Sequence, residues 1–311
     1  MKPTFFNPKN TLQLFEFKND FNFFKDLLMK NEFPKVALLS GVKGLGKSTL
    51  VSHLMHFFFD KFNYDVNTNT IIKKGKFSSL YLQNAFPNLI YLKGSNFKNI
   101  KIDDIRILKN NLLKSPVMDN KRFIILDDVE LFNINSINAL LKVIEEPGKN
   151  NHFILIENRS KPLLGTLKSR CVEFKFHLKD KQCKKIIDLL INKHNQTPVI
   201  NKDLILIPAG TYLKFNYILH ENNINLKENF SKNLNFLLNI SKKNKENIYK
   251  ELLFFVIDYY FKQQILNNSF NQNEILNKRN HIFKNMNELF LLNLNSTILI
   301  QSIEKCILNE K

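Results

Sequence analysis

From residue 35 to about 176 the chain alternates short apolar runs with segments whose apolar residues recur at helical spacing. The runs Val36–Leu39, Leu89–Leu92, Phe123–Leu126, Phe153–Ile156 and Val172–Phe176 are expected to form strands. Phe123–Leu126 is apolar throughout, as a strand must be when both faces of a parallel sheet are covered. Between the strands, helices are expected over Lys47 to about Phe62, Lys101–Lys114 and Asn135–Glu146. In the second of these Ile102, Ile105, Leu108 and Leu112 share one side; in the third Ile137, Leu140, Leu141 and Ile144 do. Pro147-Gly148 stops the third helix. Strands that alternate with helices imply a three-layer α/β sheet.

After Phe176 the strand signal ends. Cys183, Ile186, Ile187, Leu190 and Ile191 form a helical stripe, and further helices follow. Asn/Lys-rich connections are expected near 194–202, 221–229, 241–247 and 267–281. The pattern predicts three domains: an α/β domain over 1–176, a small helical domain over 177–224 and a second helical domain over 225–311. No internal repeat is evident.

The chemistry lies in the first part. Gly41-Val-Lys-Gly44-Leu-Gly46-Lys47-Ser48 matches G-x-x-x-x-G-K-[ST] and stands between an expected strand and an expected helix. Glycines let backbone N–H groups turn inward around phosphates, and the helix N-terminus adds partial positive charge. Lys47 reaches β/γ-phosphates, and the Ser48 hydroxyl can ligate Mg²⁺. Gly41, Gly44, Gly46, Lys47, Ser48 and Thr49 are the candidate nucleotide-binding residues of this loop. The strand Phe123–Leu126 runs into Asp127-Asp128. A carboxylate there would hold Mg²⁺, and its neighbour would polarise an attacking water.

Composition changes this picture little. The formal charge of +18 suits a polyanionic partner, but Lys, Asn, Ile and Phe dominate everywhere, with 29 Phe and no Trp, which is equally the mark of an AT-rich coding bias. Cys171, Cys183 and Cys306 are far apart, so neither a disulfide framework nor a zinc site is expected, and the thiols are expected to be reduced. The seven His show no ligand spacing and are read as surface or incidental residues; Phe57-Phe58-Phe59 and Phe254-Phe255 are read as core. Met1–Asn10 has no signal-peptide core, and the apolar stretch Leu252–Phe261 is broken by Asp258, so a cytoplasmic chain with no membrane partner is expected.

Further motifs carry a resemblance. Asp127-Asp128-Val129-Glu130, the segment Asn138–Pro147, the strand Phe153–Ile156 with Asn158, and Ser169-Arg170-Cys171 stand in the order and spacing of bacterial clamp-loader subunits. These are AAA+ proteins of the DNA polymerase III holoenzyme. The resemblance covers roughly residues 36–176. It implies a RecA-like P-loop domain, a small helical lid and an all-α C-terminal domain through which subunits assemble.

Within that family the chain is most similar to the delta-prime type. It lacks the four-cysteine zinc module that gamma/tau carries after the P-loop helix, and the acidic box near the P-loop strand. Many delta-prime members also carry that module, so the chain departs from both types there. The resemblance implies ATP or ADP with Mg²⁺ as cofactor and no zinc. It implies the gamma/tau and delta subunits, the sliding clamp and primed DNA as partners. Ser48 and Asp127 match the Mg²⁺ positions. Asp128 replaces the usual catalytic Glu, and its shorter side chain should misplace the attacking water, so own hydrolysis is expected to be weak or absent. Asn158 lies near the γ-phosphate sensor, beside Glu157. Arg170 matches the arginine finger that acts on a neighbour's nucleotide, and Lys214 stands where a second sensor usually has Arg. The competing readings are a gamma/tau-like motor and an interaction subunit with a vestigial P-loop; an unrelated nucleotide kinase is more distant.

Overall fold

A five-stranded sheet builds the first half of the molecule, and its three central strands, covered on both faces, are buried at every position. The computed structural model describes residues 3–72, 75–95, 100, 102–113, 116, 121–244, 246–267, 272–292 and 303. Helix α1 (Lys18–Met29) precedes β1 (Val36–Ser40) and α2 (Lys47–Phe59). A small hairpin of β2 (Tyr64–Asp65) and β3 (Thr70–Ile71) follows, then α3 (Lys76–Leu82), β4 (Leu89–Lys93), α4 (Ile102–Leu113), β5 (Arg122–Asp127) and α5 (Ile134–Glu145). The sheet is completed by β6 (Asn151–Glu157), the short α6 (Gly165–Lys168) and β7 (Val172–Lys175). The five long strands are all parallel, in the order β4-β5-β6-β1-β7.

Successive residues of each central strand feed opposite cores. Ala37, Leu39, Phe123, Ile125, Ile154 and Ile156 pack with Phe21 and Phe24 of α1, Leu50, Leu54 and Phe57 of α2, and Tyr81 of α3. Val36, Leu38, Ile124, Leu126, Phe153 and Leu155 pack with Ile105 and Leu108 of α4, Ile137, Leu140 and Ile144 of α5, and Leu167 of α6. The helix after β1 therefore covers one face, and the helices after β4 and β5 cover the other. This is the three-layer α/β arrangement expected, and loops at the carboxyl ends of such strands are where ligands bind.

Several boundaries differ from expectation. Helix α2 stops at Phe59 rather than Phe62, because Asp60 leaves helical geometry while its N–H still bonds His56 O. Lys101 and Lys114, the expected ends of one helix, lie outside the described residues. The connection expected over 267–281 is helical from Gln272, in α11 (Gln272–Leu292). Asn-rich composition hid its buried stripe of Ile275, Ile282, Met286 and Leu289. The histidines are also corrected: His53, His56 and His152 are buried rather than surface residues. His53 bonds the Tyr64 hydroxyl and Thr11 O, and His56 bonds Ser52 O and Ser78, so their ring nitrogens are satisfied inside the core.

Two compact units are distinguished, Met1–Leu189 with Pro208–Thr211, and Leu190–Ile207 with Tyr212–Lys311. Helix α7 (Asp180–Lys193) spans the first division and α8 (Ala209–Glu221) the last. In the second unit α9 (Phe230–Lys243), α10 (Asn247–Leu266) and α11 pack in series. Phe230 stacks on Tyr260 at 4.1 Å between centroids, and Arg279 Nε bonds Asp258 at 2.6 Å. Buried Asn216 accepts from Val199 N and donates to Gln196 and Thr197 O, which pins the segment before α8. Cys306 lies outside the described residues; Cys171 and Cys183 carry free thiols. Among the described residues no helix is long and apolar enough to cross a membrane.

Candidate functional site

The site is built from the carboxyl ends of adjacent strands. Strand β1 ends at Ser40 and the chain turns through Gly41–Gly46 into α2. Gly44 (φ +87°) and Gly46 (φ +108°) are left-handed, so both positions favour glycine. Gly44 has a second reason: a Cβ there would lie 2.7 Å from Thr211 N. The start of α8 closes over this point, with Gly210 N bonding Gly44 O at 2.9 Å and Thr211 Oγ1 bonding Lys43 O at 3.1 Å.

Lys47 is 2% exposed, and its ammonium donates to Gly41 O at 2.7 Å and Val42 O at 3.0 Å. Burial pulls its pKa down to about 8, against the attraction of Asp127, Glu130, Asp128 and Glu157. Ser48 Oγ donates to Asp127 Oδ2 at 3.2 Å. The sheet thus brings together the hydroxyl and the carboxylate that the sequence separates by 79 positions. Thr49 follows on the same helix turn.

Asp127 and Asp128 are both buried. Asp127 Oδ1 accepts from Asp128 N at 3.0 Å, and Oδ2 accepts from the Tyr91 hydroxyl at 2.6 Å. Asp128 adopts left-handed backbone geometry (φ +54°) and accepts from Asn158 Nδ2 at 2.7 Å. Burial opposes its charge, but Lys93, Ser95, Lys43 and Asn158 outweigh burial and hold the carboxyl below its ordinary pKa. Lys93 Nζ lies 3.9 Å from Asp127 Oδ2 and 3.9 Å from Asp128 Oδ2. Glu130 accepts from Asn158 N, Ser160 N and Ser160 Oγ, which anchors the turn after β6. Burial, with Glu130 nearby, raises the Glu157 pKa.

Arg170 is held apart from this cluster. Its Nε donates to Glu145 Oε1 at 2.6 Å and its Nη1 to Thr166 O at 2.9 Å, on a half-exposed surface. Lys214 lies on α8 in the second compact unit. Three participants were not anticipated from sequence. Tyr91 and Lys93 stand two apart on β4, and Lys93 is in register with Asp127. Lys9 is buried, donates to Tyr81 O and Asn84 Oδ1, and sits 4.2 Å from the ring centroids of both Tyr81 and Tyr91. Burial lowers its pKa to about 8, with Asp127 pulling it upward. A basic and an aromatic residue beside an unremarkable strand carry no motif; only knowledge of the strand order would have singled them out.

A family model described as DNA polymerase III, delta subunit, matches residues 18–180, more than half of the chain. The chain belongs to this clamp-loader family. The matched span contains the P-loop, both acids, Asn158 and Arg170. The delta' subunit of Pseudomonas aeruginosa is 36% identical over 76 residues, 24% of this chain and 23% of that protein. The tau/gamma subunit of Haemophilus influenzae is 30% identical over 154 residues, 49% of this chain and 21% of that protein. The chain thus spans less than a quarter of either curated relative. A gamma subunit-related protein of Thermotoga maritima aligns with 91% of this chain and 96% of its own, at a TM-score of 0.51 and 19% identity. That likeness concerns the fold. The parallel five-stranded sheet followed by a helical C-terminal region is the AAA+ fold that the motifs implied.

Proposed function

We propose that this chain is a delta-prime-type subunit of the DNA polymerase III clamp loader, binding ATP or ADP at the loop Gly41–Ser48 and supplying Arg170 to a neighbour's nucleotide. The observation that carries the nucleotide reading is the 3.2 Å approach of Ser48 Oγ to Asp127 Oδ2, directly beside the buried Lys47 ammonium. A hydroxyl and a carboxylate at the head of a P-loop helix are the donor set a hard divalent cation takes. Ser48 and Asp127 would hold Mg²⁺, which when bound neutralises charge on the β- and γ-phosphates. Lys47, the backbone N–H groups of the loop and the amino end of α2 would hold the phosphates, and Asn158 would lie beside the terminal one. Zinc has no part in this reading, because Cys171, Cys183 and Cys306 are too far apart in the chain to supply the spaced pairs of a zinc module.

Own turnover is weak or absent in this account, because Asp128 is short and already holds the Asn158 amide at 2.7 Å. The working division is a P-loop domain over 1–176, a lid over 177–224 that carries Lys214, and an assembly domain over 225–311. The gamma/tau and delta subunits, the sliding clamp and, through the complex, primed DNA are the partners, in the cytoplasm. The intact P-loop favours a second reading, a gamma/tau-like motor that hydrolyses its own ATP. Calorimetric titration with ATP and ADP tests the binding site, and steady-state turnover of the isolated chain separates the two types. Micromolar binding with negligible turnover is expected. No binding at millimolar nucleotide would make the P-loop vestigial.

A further inference from the structure

Asp127 and Asp128 are adjacent, buried acids at the end of one strand. Two carboxylates withdrawn from water need a compensating cation. This molecule contains one of its own. Strand β4 places Lys93 opposite Asp127 in the sheet register, and its ammonium lies 3.9 Å from a carboxylate oxygen of each acid. The same Asp127 oxygen also accepts from the Tyr91 hydroxyl and from Ser48 Oγ, while its other oxygen accepts from Asp128 N. Both oxygens of the expected metal-binding acid are therefore engaged by the protein. The Lys93 side chain is 31% exposed, against 3% for Asp127 and 4% for Asp128.

We propose that Lys93 is a tethered cation that competes with divalent metal for the Asp127–Asp128 pair, so that this chain holds its nucleotide with little dependence on Mg²⁺. The proposal rests on the nucleotide-binding reading for its second half only. A divalent ion entering the pair must displace an ammonium that is tethered to the chain and so loses only side-chain freedom, not translational freedom, when it docks. With Lys93 in place, the protein's own ammonium groups, Lys47 within the loop and Lys93 at the acids, carry the counter-charge that phosphates otherwise take from metal. The ligand class is a nucleoside di- or triphosphate, taken with or without its divalent ion.

The test uses the full chain, its Lys93→Met variant and its Lys93→Arg variant, each checked for an unchanged near-ultraviolet circular dichroism spectrum. Mn²⁺ is titrated without nucleotide and followed by electron paramagnetic resonance. A fluorescent ATP analogue is titrated separately in Mg²⁺ and in EDTA. Removing a unit charge within 4 Å of the acids is expected to raise Mn²⁺ affinity about tenfold or more in Lys93→Met, and Lys93→Arg is expected to behave as the native chain. Native nucleotide affinity is expected to change less than about threefold between Mg²⁺ and EDTA, and Lys93→Met to lose about tenfold in EDTA, on the same electrostatic grounds. Unchanged Mn²⁺ affinity in Lys93→Met overturns the proposal, even if nucleotide binds. A native chain that loses nucleotide in EDTA as strongly as the variant overturns it too. If no nucleotide binds under any condition while Lys93→Met still gains Mn²⁺ affinity, the competition stands and the nucleotide reading alone falls.

Discussion

Replacing Lys47 with Met should make the nucleotide-free protein at least as stable while destroying its ligand site. Lys47 is 2% exposed, and burial lowers its pKa from 10.5 to about 8. That difference corresponds to about 3 kcal/mol of stability forgone at neutral pH to keep a charged ammonium inside. Methionine has similar length and no charge, so this penalty disappears. Against it stands the loss of two hydrogen bonds, to Gly41 O and Val42 O. The Val42 carbonyl is only part-buried and water can replace the ammonium there; stranding the buried Gly41 carbonyl costs about 1–3 kcal/mol. The net expectation is a gain of about 1 kcal/mol, or roughly 2–4 °C in Tm for a unit of this size.

The pH dependence isolates the charge term. Below pH 8 Lys47 is protonated in both folded and unfolded chains, and the full penalty applies. Between pH 8 and 10.5 the folded lysine releases its proton while the unfolded one keeps it, so native stability rises with pH. The advantage of Lys47→Met should therefore shrink across that window. Urea unfolding of both proteins from pH 7 to 10.5 measures it. With nucleotide at about a hundred times its Kd, the native chain should gain about 2.7 kcal/mol and the variant nothing, reversing their order. A stability difference that stays constant across the window, or a variant markedly less stable at pH 7, would refute the reasoning.

Three further outcomes are expected. Arg170→Ala removes a guanidinium whose other contacts are a half-exposed ion pair with Glu145 and a bond to Thr166 O, so the fold should lose about 1 kcal/mol or less; ATP turnover by the reconstituted complex should fall, and unchanged turnover removes the finger assignment. Phe123, fully buried against Phe33, Phe58, Phe59 and His152, should cost about 3–5 kcal/mol on change to Ala, read as a lowered urea midpoint. Elemental analysis of the purified chain should find no stoichiometric zinc, and one zinc per chain would defeat the reading of the dispersed cysteines.

Local chemistry was legible without coordinates. The P-loop could be read because its phosphate cradle is made by consecutive backbone groups, and Gly44, Gly46, Lys47 and Ser48 need only each other and a following helix. The strands could be read because burial on two faces leaves no room for polar alternation, as in Phe123–Leu126. Asp127-Asp128 stood out because they end such a strand. Contacts between elements were not legible. Tyr91 and Lys93 meet the acids only because β4 lies beside β5 in the sheet, in the register that sets Lys93 opposite Asp127. Asn158 meets Asp128 because β6 flanks β5 on the other side. Lys9 reaches the same network from a segment with no motif at all. Composition bias concealed the stripe of α11 and made three core histidines look incidental. A residue's type and its near neighbours set what it can do; the strand order sets which partners it meets, because side chains from different strands become neighbours only when the sheet assembles.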